Sequence, residues 1–131
     1  MSEGKGSENV IRQLKLQADK AADVEVDKVV TDVRDASKKV IDRMADNYEF
    51  SREMVNFFNG SIASRLSIFR PQKGGLSLAE QVQIAALDGF NEALDAMLRR
   101  GHEPKAMHVY ERWRREYEEQ LREALPDAAS L

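Results

Sequence analysis

The chain has 131 residues, 42% of them hydrophobic, with 20 Lys+Arg against 23 Asp+Glu and a net charge of −3. That length suits one domain, and the slightly acidic balance argues against holding nucleic acid by bulk charge. The absence of Cys excludes disulfides, thiolate zinc sites, iron–sulfur clusters and Cys nucleophiles.

The first seven residues, Met-Ser-Glu-Gly-Lys-Gly-Ser, are polar and Gly-rich and read as a flexible start rather than a secretory signal. No run approaches the ~18 apolar residues that cross a bilayer, so no transmembrane segment and a cytoplasmic location are expected. Between Ser7 and Asn59 there is no Gly and no Pro. Ser7 is placed to cap a helix, with Glu8 in its first turn. One stripe then runs Ile11, Leu14, Ala18, Ala22, Val26, Val29, Val33, Ala36, Val40, Met44, Tyr48, Ser51, Val55, Phe58. Its steps average about 3.6 residues, the period of a nearly straight α-helix rather than of a strict heptad. Only Ser51 in this stripe is polar. The spacing predicts one helix over about 8–58, and Ile62, Leu66 and Phe69 extend the same pattern to 69. Arg70-Pro71 must end it.

Ser77-Leu78-Ala79-Glu80 has the form of a capping box and opens a second helix over 77–100. Its apolar residues cover most of its circumference, leaving Gln81, Asp88, Glu92 and Asp95 as the polar side. Such a helix is central in a bundle or covered by another chain. Pro104 opens a third helix over 104–125, with Tyr110, Trp113, Tyr117 and Leu121 on one stripe, and Pro126 closes it. The short link before it sets the last two helices antiparallel. The expected fold is all-α: a long N-terminal helix overhanging an antiparallel pair. Residues 8–43 form a stalk, 44–125 a bundle and 126–131 a tail. An apolar stripe on a stalk needs a cover, and a second copy is the economical one. Val26, Val33 and Val40 at alternating seam positions are compatible with a parallel coiled-coil dimer.

Catalytic constellations are not apparent. His102 and His108 are six apart, off the i,i+3 and i,i+4 spacings of helical metal ligands. Asp19, Asp23 and Asp27, and Asp42, Asp46, Glu49 and Glu53, form ladders without the loop of a calcium site, and read as solvated faces. Lys73-Gly74-Gly75 lacks the offsets of a P-loop. No enzyme activity, metal or cofactor is expected.

From Met54 to Ala79 there is no acid, while Arg65, Arg70 and Lys73 are present. Arg112, Arg114 and Arg115 flank Trp113, although Glu111 and Glu116 offer them partners within the helix. These six cations are the candidate anion contacts.

The leading expectation is a non-enzymatic interaction protein, a homo-oligomeric scaffold or adaptor. Its candidate interface residues are Val26, Val29, Val33, Val40, Met44, Phe57, Phe58 and Trp113. A second reading is a helical nucleic-acid-associated subunit using the six cations. In overall build (small, Cys-free, helical and amphipathic) the chain resembles the phasins that coat storage granules, which implies a third reading as a coat on a lipid or polymer surface.

Overall fold

The computed structural model describes residues 2–99 and 107–125, with residues 2–8, 18 and 19 described by backbone alone. The fold is all-α. Four helices follow in order among the described residues: α1 (Ser2–Tyr48), α2 (Arg52–Ser67), α3 (Leu78–Arg99) and α4 (Met107–Ala124). His102, the expected opening at Pro104 and the stop at Pro126 lie outside the described residues.

α1 begins at Ser2, so Ser7 lies inside the helix and not at its cap. Extending a long helix by a turn carries no nucleation cost, which lets it run through Gly4 and Gly6. The single long helix expected over 8–58 is two helices. Glu49 takes a left-handed backbone at φ 55°, and the Phe50 N–H donates to the Ala45 carbonyl at 3.1 Å. That is the six-to-one bond of a Schellman ending, with Glu49 where Gly is usual. Two residues later Ser51 caps α2, its hydroxyl accepting from the Met54 N–H at 3.2 Å, with Glu53 in the first turn. α2 then continues past Gly60 to Ser67.

α3 starts as expected. Its N-terminal Glu80 N–H donates to the Ser77 hydroxyl at 3.2 Å. The loop before it is stapled by Gln81. Its Oε1 accepts from the Gln72 N–H at 2.7 Å, and its Nε2 donates to the Gln72 and Leu76 carbonyls at 3.1 Å.

α3 packs on all three other helices, whereas α2 and α4 scarcely meet. α1 and α3 therefore form a shared spine with α2 on one side and α4 on the other. α2 and α3 approach most closely at Gly89. A Cβ there would lie 2.7 Å from the Ile62 Cα and 3.0 Å from the Ser61 carbonyl oxygen. The Ser61 hydroxyl donates to the Gly89 carbonyl at 2.7 Å across the same crossing.

A row of rings runs through the bundle. Trp113 meets Phe50 edge-on at 4.8 Å, Phe50 meets Phe58 at 5.4 Å, Phe58 stacks on Phe90 at 4.8 Å, and Phe90 stacks on Tyr117 at 4.4 Å. The corner residue Phe50 is thus buried against α2 and α4, which anchors the turn between α1 and α2. Ring pairs of this kind add to the area they bury, about 0.5–1.5 kcal/mol each.

α1 enters the core earlier than the expected boundary at 43/44. Val33, Ala36, Ser37, Val40, Ile41 and Met44 are all buried. Its 47 residues span about 70 Å, against about 33 Å for the 22 residues of α3. The reach before Val26 therefore stands clear of the bundle.

Candidate functional site

The part of α1 beyond the bundle is the surface that stands out. From Asn9 to Glu25 every described side chain is exposed. Val10, Ile11, Leu14, Leu16 and Val24 among them are between 54% and 67% exposed. Large apolar residues scattered singly over a surface are ordinary; here Ile11 and Leu14 lie three apart on one face of a projecting helix, while Leu16 lies on the opposite side. Ile11 and Leu14 share the stripe that leads to Val26, Val29 and Val33, so the apolar line that is core further along is bare here.

The expected interface residues separate along this line. Val26 and Val29 are half-buried where α1 meets the bundle. Val33 is 2% exposed and Val40, Met44 and Phe58 are 0% exposed, all closed off by their own chain. These four are core, not interface, because α2, α3 and α4 cover that half of α1. Phe57 is half-buried against the core. Trp113 is half-buried among Tyr48, Phe50 and Tyr110. Ile11 and Leu14, which the apolar stripe of the stalk already contained, are exposed, and so are Val10, Leu16 and Val24, which lie off that stripe.

The expected cations do not form one patch. Arg65 on α2 pairs with Glu92 on α3, and that hydrogen bond and charge, with Asp88 nearby, raise its pKa above the ordinary guanidinium value. Arg114 on α4 pairs with Asp95 on α3 at 3.3 Å. Asp88, Glu92 and Asp95 follow i, i+4, i+7 spacing on α3. They form an acidic ridge between the two basic groups. Arg70 donates to its neighbouring Phe69 carbonyl at 2.9 Å and, with Arg65, lines a cleft of about 320 Å³ beside Ile68, Leu76 and Ile84. Lys73, Arg112 and Arg115 are exposed. Glu116, expected to pair with Arg112, is engaged by the Tyr48 hydroxyl and by Gln120, whose Nε2 donates to it at 2.9 Å.

Among the described residues no three His, Asp or Glu side chains converge as a metal site, and no helix is long and apolar enough to cross a membrane. His108 is exposed on α4. The chain matches no family model, no curated protein and no solved structure.

Proposed function

We propose that the protein is a non-enzymatic helical interaction protein, a homo-oligomeric scaffold or adaptor that works through the projecting half of α1. One observation carries this reading: five large apolar side chains, Val10, Ile11, Leu14, Leu16 and Val24, lie bare on a helix that extends beyond its own bundle. Burying each fully is worth roughly 1.5–3 kcal/mol, so a partner that covers them is strongly favoured over water. A cytoplasmic location accords with this reading. The nucleic-acid reading draws less support, since Arg65 and Arg114 are already neutralised by α3.

Light scattering tests the proposal. At tens of micromolar the chain should run at twice its 14.9 kDa or more. The double substitution Ile11→Asp with Leu14→Asp should return it to monomer mass and leave the melting of the bundle unchanged. A wild-type monomer overturns the reading.

A further inference from the structure

The exposed reach of α1 is divided by charge. Residues 9–20 carry Arg12, Lys15 and Lys20 against the single acid Asp19. Residues 21–32 carry Asp23, Glu25, Asp27 and Asp32 against the single cation Lys28. Arg12, Lys15, Lys20, Asp23, Glu25 and Asp27 are all exposed. A basic half followed by an acidic half on one apolar-striped helix is self-complementary when turned end for end. It sets like charge on like charge when laid parallel. Self-complementarity is what a two-fold interface between identical chains requires, and opposed charge of this kind fixes orientation more than affinity.

From this pattern we infer that the occupant of the stripe is the same stripe of a second copy, running antiparallel and overlapping over residues 9–28. With the two-fold axis near residue 18, Arg12 falls at the level of Glu25 and Lys15 at the level of Asp23, so the basic half of one helix runs along the acidic half of the other. Ile11 then lies beside Val26, and Leu14 beside Ala22. The overlap is about 30 Å long. It ends one turn before Val33, where the chain's own bundle takes over the stripe. The parallel pairing suggested by Val26, Val33 and Val40 is not open to the molecule, because Val33 and Val40 are in the core.

This inference rests on self-association through α1, and the experiment separates the two. The chain has no Cys, so Asn9→Cys and Lys28→Cys each supply one thiol at an exposed position for a pyrene label. An equimolar mixture of the two labelled variants, exchanged to equilibrium, should show excimer emission. Either variant alone should show only monomer emission, and all three samples should scatter at twice the monomer mass. Excimer in either variant alone overturns the antiparallel arrangement and leaves self-association standing. A doubled mass with no excimer in any sample overturns pairing through this stripe. Monomer mass throughout overturns both the arrangement and the reading beneath it. Raising salt should weaken the association, since the complementary charges are exposed and screened.

Discussion

The Tyr117 hydroxyl of α4 meets the Ser37 hydroxyl of α1 at 2.8 Å. Ser37 is the one polar residue in the core among the described residues. Neither group has water to turn to, so each depends on the other. Tyr117→Phe should cost about 1–3 kcal/mol in urea unfolding at pH 7, because it leaves the Ser37 hydroxyl buried without a partner. Ser37→Ala in the same chain should recover part of that loss, making the pair non-additive. The same residue ties stability to pH. Burial pushes the Tyr117 phenol up, and the Ser37 hydrogen bond only partly offsets this. Its contribution is whole below the ordinary tyrosine value of about 10 and is lost as pH rises through the higher folded value. The Phe variant should therefore lose stability less steeply above pH 10. Ser37 has no mark in the sequence to set it apart from an exposed serine. Its burial follows from α4 lying across α1, a contact 80 residues distant in the chain.

At the scale of the helices, two glycines make opposite predictions. Gly60 sits in α2 with nothing within 4 Å of an added Cβ. Gly60→Ala should raise stability by about 0.5–1 kcal/mol, the usual helix gain. Gly89 sits at the α2–α3 crossing, where the added carbon meets backbone at 2.7 Å. Gly89→Ala should force the helices apart and cost about 1–3 kcal/mol; the two melting temperatures, measured side by side, check the pair. The helices themselves were largely legible, because hydrophobic period and capping chemistry are local. Ser77 and Glu80 marked the start of α3. The corner at Glu49 was not, and the reason is physical. An apolar stripe reports which positions are buried. Burial continues from Met44 through Phe50 to Phe58 although the backbone changes direction between them. Glu49 holds its left-handed conformation without Gly, so the usual stop signal is missing. Ser51, the one polar residue in the stripe, was the surviving trace: it is the cap of a new helix.

For the whole molecule, the sequence already implied a rod longer than the bundle it serves. Where the rod leaves the bundle was not legible, since Val33 and Val26 look alike in the pattern. Only the lengths and positions of α2, α3 and α4 decide that the first is buried and the second half-covered. The basic groups show the same limit. Arg65, in an acid-free run of α2 and its loop, is paired with Glu92 of α3, a contact that a linear count of charge does not contain.

α1 is one unbroken helix with its ends in two environments. Its backbone bonds are alike throughout, yet the free energy needed to open them locally is not. Around Val40 and Met44, amide hydrogens exchange only when the bundle opens. Between Val10 and Val24 an isolated chain needs only to fray, and its amides should exchange orders of magnitude faster. Mass spectrometry in deuterated water should place that step near Val29. Raising the protein concentration should move it toward the N-terminus, so that the helix itself registers whether a second copy has covered it.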